Sequence, residues 1–368
     1  MLIARSVHPL PGEAERKERL LGLVDGFGGR RILVVGDIIA DQFIYGEVAR
    51  VSREAPVLIL KYDATEMVPG GAGNAANNVA ALGGVARLVG VTGRDTEGNR
   101  LVAGLPAGVD RTYVTRMRGY QTPVKTRILA GGVHSAKQQV VRIDRETAWP
   151  LEKSISRAVA GKVLSALDAC DAILLSDYGS GLITPELGER IRAKIAKRAR
   201  RRPIPILVDT RHRLLEYRGM TLCTPNQSEV EQVLGIRIGD DPVALEDAGR
   251  LVLRRTRSQG VLVTRGSRGM ALFQPRQPTI HIPIFGSDEV SDVTGAGDTV
   301  IATVALAVGA GASFYEAARL ANYAGGLVVM KRGTATITSA ELASAIDSDH
   351  DTSSQSWSQE GPAQGRRT

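Results

Sequence analysis

The chain contains 368 residues, 43% of them hydrophobic and 23% charged, and its formal net charge is +8. These values are typical of a soluble globular protein whose length allows a large buried core. The longest apolar run, residues 299–312, is too short to cross a bilayer, which argues against a membrane protein.

The numbers and positions of histidine, cysteine and aromatic residues argue against several kinds of functional site. The five histidines are scattered, and the two cysteines, Cys170 and Cys223, match no metal spacing, so we expect neither a zinc site nor a histidine-based triad. The N-terminus has no apolar signal region, and we expect a reduced, cytoplasmic protein. Much of the positive charge lies in residues 192–202, which we interpret as a solvated helix end. Because aromatic residues that could stack on bases are scarce, we expect anionic small molecules rather than nucleic acid.

Alternating strand and helix patterns predict the fold. The N-terminal residues 1–28 are interpreted as a leader with one amphipathic helix at about 12–24. In the following residues, short β-branched runs typical of buried parallel strands alternate with helical patterns, which indicates a doubly wound α/β sheet flanked by helices. We predict strands at 31–37, 172–176, 204–209 and 261–264, and helices at 74–82, 151–168, 185–200, 227–234 and 242–258.

Two segments interrupt this alternation. Residues 41–62 and 111–145 alternate in polarity and lack helix signals, so we predict a smaller, separate β-sheet formed by these segments. A sheet over the edge of the core would act as a lid that excludes water, and its exposed edges favour a homodimer joined through the lids. The core with its lid is assigned to residues 29–346, and residues 347–368, which lack a core pattern, are predicted to be disordered.

Polar side chains beside glycines predict a site for a polyol. The run Pro69-Gly70-Gly71-Ala72-Gly73-Asn74-Ala75-Ala76-Asn77 precedes a helix, and Asn74 and Asn77 share one helix face at a spacing of three. A tight turn into the helix explains the glycines equally simply. Asp37 ends the first strand, where ligands bind in open α/β sheets, and it can grip sugar hydroxyls or cap a turn.

Two further motifs leave alternatives open. Asn226 and Glu229 are three apart at a helix start, a pattern typical of a capping box, and the alternative is a site for hydrated Mg²⁺. The run Thr264-Arg265-Gly266-Ser267-Arg268-Gly269 follows a strand. Its glycines, Gly266 and Gly269, can form a hairpin turn or allow nucleotide phosphates to approach the backbone.

The motif Ser291-Asp292-Val293-Thr294-Gly295-Ala296-Gly297-Asp298-Thr299 gives the strongest indication of chemistry. Backbone N–H groups at a helix start bind negatively charged groups such as phosphate. A carboxylate beside them would repel the phosphate, so it is out of place if the site only binds phosphate. The acid is explained if Asp298 takes a proton from a hydroxyl that attacks a phosphoryl group. The N–H groups of Gly295, Ala296 and Gly297 would then form an anion hole.

These motifs, in this order, resemble the ribokinase-like, PfkB-type carbohydrate kinase family. The resemblance rests on the Gly70–Asn77 and Asp292–Asp298 stretches and covers about residues 30–345, whereas the phosphate loops of other kinases are absent. It implies a Rossmann-like core with a β lid, ATP and Mg²⁺ as cofactors, and phosphorylation of a sugar hydroxyl. It also implies that Asn322 lines the nucleotide site, that Arg142 helps to hold the sugar, and that Asp292 lies near a monovalent cation such as K⁺.

Within the family, the sequence is most similar to the kinases that convert D-glycero-D-manno-heptose 7-phosphate to the 1,7-bisphosphate. The run Ser52-Arg53-Glu54-Ala55-Pro56-Val57 carries much of this similarity. Ser180 stands at a position where that subfamily usually has a lysine. Arg211 also replaces a lysine, because this chain reads Asp209-Thr210-Arg211 where the subfamily usually reads Asp-Pro-Lys. Four cations could replace a lost phosphate contact, namely Lys125, Arg127, Lys137 and Arg142. No His-x-Gly-His motif is present, so we expect a stand-alone kinase without a nucleotidyl-transferring domain.

Two alternatives remain at this point. A kinase of the same family for ribose, fructose or 2-keto-3-deoxygluconate would share every motif, because sugar choice depends on lid residues. A non-catalytic regulatory protein on the same scaffold, using its basic surface on nucleic acid, predicts loss of the base or of the anion hole. Neither is lost from the sequence.

Overall fold

The fold is taken from a computed structural model that describes residues 13–131, 137–146, 153–197, 203–286, 292–331 and 333–349. Its helices are α1 (Glu13–Asp25), α2 (Ala72–Ala81), α3 (Thr96–Gly104), α4 (Lys153–Ala166), α5 (Pro185–Ala196), α6 (Gln227–Leu234), α7 (Pro242–Thr256), α8 (Ala296–Gly309), α9 (Phe314–Val329) and α10 (Ser339–Ser348). Its strands are β1 (Arg31–Gly36), β2 (Ile38–Val51), β3 (Leu58–Gly71), β4 (Val85–Val89), β5 (Val91–Gly93), β6 (Val109–Asp110), β7 (Thr115–Met117), β8 (Val124–Gly131), β9 (Gln138–Arg145), β10 (Ala172–Asp177), β11 (Ile206–Thr210), β12 (Leu222–Cys223), β13 (Gly260–Thr264), β14 (Met270–Phe273) and β15 (Ile280–Ile282).

Nine strands form the central sheet in the order β15-β14-β13-β12-β11-β10-β1-β4-β6. The pairs from β6 to β13 are parallel, whereas β13–β14 and β14–β15 are antiparallel. The chain order reverses beside β1, so the sheet is doubly wound as predicted. The β13–β14 hairpin agrees with the hairpin turn that the sequence left open for the Thr264–Gly269 run, whereas the extension of this edge by β15 was not predicted.

Helices cover both faces of this sheet. Along β1, Ile32 and Val34 belong to one apolar cluster, and Leu33 and Val35 belong to the other. The first cluster contains buried residues of α1, α2, α8, α9 and α10, and the second contains those of α4, α5, α6 and α7. Both faces of the strand are therefore dry, which is why its sequence is a continuous β-branched run. None of the helices in the described ranges is long and apolar enough to cross a membrane.

A second sheet of four strands, here called the outer sheet, has the order β3-β2-β8-β9. It differs from the predicted lid in its bounds, because β2 and β3 together cover Ile38–Val51 and Leu58–Gly71. The first part of the 111–145 segment lies outside this sheet. There, β7 pairs with β5 in a separate two-stranded sheet. Residues 132–136 of the predicted lid lie outside the described ranges.

The N-terminal helix packs on the core rather than forming a separate leader. Leu20, Leu23 and Val24 of α1 and the following Phe27 are buried in the cluster with α8, α9 and α10. Arg19 also forms an ion pair with Glu316 of α9, with Nε 2.9 Å from Oε1. We therefore extend the α/β unit back to α1. The first twelve residues, and residues 350–368 of the predicted disordered tail, lie outside the described ranges.

Candidate active site at the start of helix α8

Asp298 lies in the first turn of α8, and its side chain is buried with 3% exposure. Two donors from distant segments hold its carboxylate. Asn74 Nδ2 of α2 donates to Oδ2 at 2.9 Å, and the Tyr178 hydroxyl, just after β10, donates to Oδ1 at 3.0 Å. One donor on each oxygen fixes the orientation of the carboxylate.

The electrostatics of Asp298 suit proton transfer near neutral pH. Burial raises the pKa of Asp298 to about 7, and the charge of Asp209 adds to this effect, while the hydrogen bonds from Asn74 and Tyr178 oppose it. Burial, followed by the nearby charge of Asp298, also raises the pKa of Tyr178, so its hydroxyl stays protonated and acts as the donor. A carboxyl group with a pKa close to ambient pH can accept a proton and release it again.

The start of α2 packs against the start of α8. Asn78 Nδ2 donates to Asn74 Oδ1 at 3.1 Å, and Thr299 Oγ1 donates to Asn78 Oδ1 at 2.9 Å. The structure thus joins Asn74 to Asn78, one turn later, whereas the sequence suggested a pair with Asn77. Asn77 Oδ1 is buried without a hydrogen-bond partner in the described residues.

The glycines before α2 allow two close backbone approaches. A Cβ on Gly70 would lie 2.1 Å from Asp41 Oδ2, and one on Gly71 would lie 2.5 Å from the Asp37 carbonyl oxygen. Gly71 also has a positive φ of 56°, which side chains disfavour. In the structure, both glycines are needed for close packing beside the site.

Asp37 follows β1 and lies in a cavity between the two sheets. Its Oδ2 accepts the backbone N–H of Tyr178 at 2.8 Å, and its Oδ1 accepts the hydroxyl of Ser180. Burial raises the pKa of Asp37 to about 6, although these donors oppose the shift. The cavity is also lined by Gly179 and His212 of the core, and by Lys125, Asp144 and Arg145 of the outer sheet.

Tyr178 connects this cavity to the carboxylate of Asp298, since its backbone contacts Asp37 and its hydroxyl contacts Asp298. The preceding Asp177 anchors the loop. It accepts hydrogen bonds from the hydroxyls of Tyr217 at 2.8 Å and Thr210 at 3.0 Å, and from Arg213 at 3.0 Å. Tyr178 was not among the site residues predicted from the sequence. A polar Ser-Asp-Tyr-Gly run directly after a buried strand was the available signal.

The helices whose N-cap residues the structure describes, α2, α3 and α5 to α10, begin in two ways. Six helices begin with a side chain that accepts a backbone N–H, on residues Asp95, Thr184, Asn226, Asp241, Ser313 and Thr338. Helices α2 and α8 begin at Gly71 and Gly295 without any side-chain cap. The first N–H group of α2, on Ala72, donates to the Asp37 carbonyl at 3.0 Å, and no side chain caps the N–H groups that follow it in either helix. Uncapped N-termini also carry a partial positive charge, which suits an anion.

The predicted anion hole is partly engaged. Ala296 N–H donates to the Val293 carbonyl at 3.3 Å, a long hydrogen bond within the turn. Gly295 has a φ of 79° and lies against Asn74, whose Nδ2 would be 2.6 Å from an added Cβ. Among the residues that the structure describes, no atom comes within 4 Å of a Cβ built on Gly297, so this side of the helix start is open with respect to them.

Asn226 and Glu229 form a complete capping box at the start of α6. Asn226 Oδ1 accepts Glu229 N–H at 2.8 Å, and Glu229 Oε2 accepts Asn226 N–H at 2.9 Å. Burial, and then the charge of Asp209, raise the pKa of Glu229 to about 7. Glu229 Oε1 also accepts Arg211 NH1 at 3.2 Å. The capping interpretation is confirmed, and the metal role of both residues stays a prediction.

Arg211 connects this helix start to Tyr178. Its guanidinium carbon lies 4.9 Å from the centroid of the Tyr178 ring, within reach of a cation–π interaction, while one nitrogen bonds Glu229. Burial raises the pKa of Asp209, on β11, to about 6. The charge of Arg211 opposes this shift, and the charge of Asp177 adds to it. A chain of polar groups thus runs from Asp298 through Tyr178 to Glu229.

The remaining predicted nucleotide and cation residues have local partners. β13 and β14 form a hairpin, and a Cβ on Gly269 would lie 2.0 Å from the Ile282 carbonyl oxygen, so Gly269 serves the turn. Thr264 ends β13 beside Asn226, and no atom of the described residues lies within 4 Å of a Cβ on Gly266. Asn322 Nδ2 donates to the Pro283 carbonyl at 2.8 Å. Both Asp292 oxygens accept backbone N–H groups, from Thr294 at 2.9 Å and Gly333 at 3.1 Å.

Most of the cations that the sequence offered as replacements for a lost phosphate contact do not line the cavity. Arg142 is exposed on β9, with Nε 2.9 Å from Asp144 Oδ1. Arg127 pairs with Asp41, and Lys137 pairs with Asp63. Of the four, Lys125 alone lines the cavity, and its Nζ is 3.3 Å from Asp144 Oδ2.

Comparison with known proteins now decides the class. The profile of the pfkB family carbohydrate kinases matches residues 30–341. The chain belongs to this family. It is therefore an ATP-dependent sugar kinase, and the family resemblance found in the sequence is confirmed.

Curated relatives share about two fifths of its residues. The bifunctional protein HldE of Aeromonas salmonicida is 42% identical over 328 residues, which are 89% of this chain and 66% of the relative. The bifunctional protein HldE of Caulobacter vibrioides is 41% identical over 337 residues, 90% of this chain and 66% of the relative. This kinase thus spans slightly less than two thirds of the length of these relatives.

Solved structures share the fold at low identity. Arabidopsis thaliana ribokinase complexed with ribose and ATP superposes with a TM-score of 0.65 at 20% identity, covering 87% of this chain and 99% of that chain. Escherichia coli phosphofructokinase-2 in complex with substrates and products gives 0.68 at 20% identity, with 87% and 98% covered. The ribokinase-like fold class predicted from the sequence is confirmed.

Proposed function

We propose that this kinase phosphorylates the anomeric hydroxyl of D-glycero-D-manno-heptose 7-phosphate, giving the 1,7-bisphosphate. The sequence similarity to kinases of this heptose and the identity to the HldE relatives support the choice of sugar. The observation that carries the proposal is the position of Tyr178. It lines the cavity that contains Asp37 and donates to the buried carboxylate of Asp298 beside the uncapped start of α8.

Asp298 acts as the general base. The anomeric O–H proton moves to its carboxylate as the oxygen attacks the γ-phosphorus, and the bond from that phosphorus to the ADP oxygen breaks. Asn74 and Tyr178 orient the carboxylate from both sides, and burial brings its pKa close to neutral. General-base assistance of this kind contributes roughly 10²–10⁴ in rate.

The uncapped N-terminus of α8 receives the transferred phosphoryl group. Its N–H donors, Gly297 foremost because its side is open, offset the charge that develops on the phosphoryl oxygens. Each such donor is commonly worth ~3–4 kcal/mol. The nucleotide would extend from there toward Thr264, Gly266 and Asn322, with Gly266 allowing close backbone approach.

The residues around Glu229 fit a magnesium ion that keeps most of its waters. Asp209 and Glu229 each carry a carboxyl group, and the charge of Asp209 raises the pKa of Glu229. No group of three or more candidate metal ligands occurs in the described residues. Mg²⁺ suits such a site, because it needs few protein carboxylates. It would be held through water by Glu229, with Asn226 and Asp209 near it. When bound, the ion would neutralise phosphate charge. A monovalent cation near Asp292 stays a separate proposal, and activity without added K⁺ would remove it.

Asp37 holds the sugar, with Asn74 and the Gly70-Gly71 backbone beside it. The phosphate at the far end of the sugar would lie toward Lys125, Arg145 and His212. Lys125 and Arg145 already pair with Asp144 and Glu97, so the phosphate has to exchange places with a carboxylate. Ser180 donates to Asp37 where related kinases carry a lysine. These features favour the second candidate, a kinase for an unphosphorylated sugar or sugar acid such as ribose, fructose or 2-keto-3-deoxygluconate.

A panel of acceptors separates these candidates. ADP formation is measured with Mg²⁺ and ATP on heptose 7-phosphate, heptose, ribose, fructose, fructose 6-phosphate and 2-keto-3-deoxygluconate. Turnover on heptose 7-phosphate alone supports the proposal. Comparable turnover on an unphosphorylated sugar would transfer the assignment to the second candidate.

The outer sheet acts as a lid and joins two copies of the chain. Cross-strand pairing places Ile44, Ile128 and Val141 on the face opposite the Asp41, Lys125 and Asp144 side chains. Val141 and Ile143 of this face are 46% and 56% exposed. An exposed apolar sheet face favours a self-complementary partner. Light scattering should give a dimeric mass that becomes monomeric in Val141→Lys, and a monomeric wild type would refute the dimer.

A further inference from the structure

A shallow cavity lies on the side of the molecule opposite the active site. Its lining consists of Leu215, Arg218, Arg254, Arg255 and Arg257. Arg218 precedes β12, and the other arginines end α7 shortly before β13, so the cavity lies where these strands begin. Asp298 lies at the other edge, where β1 and β10 end. The two sites are therefore separated by the length of the strands.

A fifth arginine, from a third segment, lies beside the residues that line the cavity. Arg192 of α5 packs over Gly219, with its Cδ and Nε each 3.4 Å from the position of an added Cβ. Together, Arg192, Arg218, Arg254, Arg255 and Arg257 form what we call the arginine cluster. None of the five has an ion pair or a hydrogen-bonded carboxylate among the residues that the structure describes. Like charges that converge without a counter-charge repel one another, and a bound anion relieves that repulsion.

The loop that carries Arg218 is anchored on both sides of this residue. Tyr217 is fully buried, and its hydroxyl donates to Asp177 at 2.8 Å. Gly219 has a φ of 68° and donates its N–H to the Thr256 carbonyl at the end of α7 at 2.8 Å. Arg218 is thus fixed between two anchored neighbours and held against the end of α7. An ordinary solvated loop needs neither anchor.

Stabilisation of helix α7 accounts for part of the cluster only. Cations in the last turn favour the negative end of a helix, which explains Arg254 and Arg255. It does not explain Arg218, which belongs to a loop, or Arg192, which belongs to another helix. Guanidinium groups bind phosphate through two parallel hydrogen bonds, and a cluster of them recognises several phosphates at once.

We propose that the arginine cluster is a second anion site, which binds a small molecule carrying two or more phosphate groups. The concave shape and the convergence from three segments favour a compact polyphosphate over the extended backbone of a nucleic acid. Nucleoside polyphosphates and sugar bisphosphates share the required chemistry. Binding here is independent of the sugar that the active site accepts.

The test uses inorganic tripolyphosphate as the probe and isothermal titration calorimetry on the whole chain. Arg218→Gln/Arg255→Gln removes two guanidinium groups from the cluster. We expect the wild type to bind one more tripolyphosphate per chain than this variant, or to bind it about tenfold more tightly, because charge-assisted hydrogen bonds are lost. ADP formation on the preferred sugar should be unchanged, since neither residue belongs to the active site.

Arg100→Gln/Arg237→Gln is the matched control. Both residues are exposed and have no ion pair in the described residues, so the net charge changes equally. Equal binding by wild type and the Arg218/Arg255 variant would overturn the proposal. An equal loss in the control would also overturn it, because the effect would then be general charge. ADP, pyrophosphate and fructose 1,6-bisphosphate, titrated in parallel, distinguish the source of the phosphates. Tighter binding of random-sequence duplex DNA, lost in the Arg218/Arg255 variant, would assign the surface to nucleic acid instead.

Discussion

The starts of helices α6 and α8 lie at the same edge of the central sheet and differ in how their first backbone N–H groups are capped. At α6, Asn226 and Glu229 satisfy each other's N–H groups in a closed capping box. At α8, glycines leave the first N–H groups without a side-chain cap, and a buried acid follows in the same turn. The first arrangement stabilises a helix, and the second is available to a ligand. Cap chemistry therefore distinguishes a helix start that its own side chains close from one that they leave open to a ligand.

Among the changes that distinguish the two helix starts, a side chain on the open side of α8 should reduce turnover the most. Gly297 has a negative φ, and no atom of the described residues lies within 4 Å of its Cβ position, so Gly297→Leu should fold normally and gain up to about 1 kcal/mol in unfolding free energy. Turnover should fall by roughly 10²–10³, because the side chain occupies the place of the phosphoryl group. Denaturant melts and ADP-formation rates measure the two effects.

Gly161→Leu is the matched control for this change, since Gly161 lies in α4 with equally open surroundings. It should keep full turnover. Near-normal turnover in the Gly297 variant would show that the α8 start does not receive the phosphoryl group.

A smaller effect is expected from Tyr178→Phe, which keeps the ring beside Arg211 and removes the hydroxyl that donates to Asp298. That donor lowers the pKa of Asp298, so its loss should raise the pKa further above about 7. Since the carboxylate is the active form, the acidic limb of kcat/KM should move to higher pH. The loss should be about tenfold or more at pH 6 and small at pH 9. An unshifted profile with a uniform loss would indicate a structural role alone.

The smallest effect should come from Glu229→Gln, which tests α6. Glutamine at this position still accepts the Asn226 N–H, so the unfolding free energy should change by less than about 1 kcal/mol. If Glu229 also helps to hold Mg²⁺, the Mg²⁺ concentration for half-maximal ADP formation should rise several-fold. An unchanged Mg²⁺ dependence would leave Glu229 as a helix cap only, and would complete the contrast with α8.

The sequence predicted the parts of this molecule that depend on local pattern. The central strands and most helices follow from runs of apolar residues and their period, and the Asn226–Glu229 cap follows from a spacing of three. The contact of Tyr178 with Asp298 joins residues 120 positions apart, and no local period encodes it. Likewise, the choice of Asn78 over Asn77 as partner of Asn74 depends on which face of α2 meets α8.

The outer sheet shows the same limit. Its alternation predicted strands, but only the pairing of β8 with β9 shows that Lys125 reaches the cavity while Arg142 stays exposed. Residues 111–123 also carried a strand-like pattern, yet part of them pairs with β5 outside the outer sheet. Which side chains meet a sugar is decided by register and packing, which a single sequence does not contain.

The most direct test of the account is phosphoryl transfer by Asp298→Asn in a single turnover with labelled ATP and the preferred sugar. Asparagine has nearly the same shape as aspartate but cannot accept the proton. We expect the variant to fold, to bind ATP with about wild-type affinity, and to transfer the γ-phosphoryl group roughly 10²–10⁴ times more slowly. Transfer at a near-normal rate with ATP bound would contradict the assignment of Asp298 as the base.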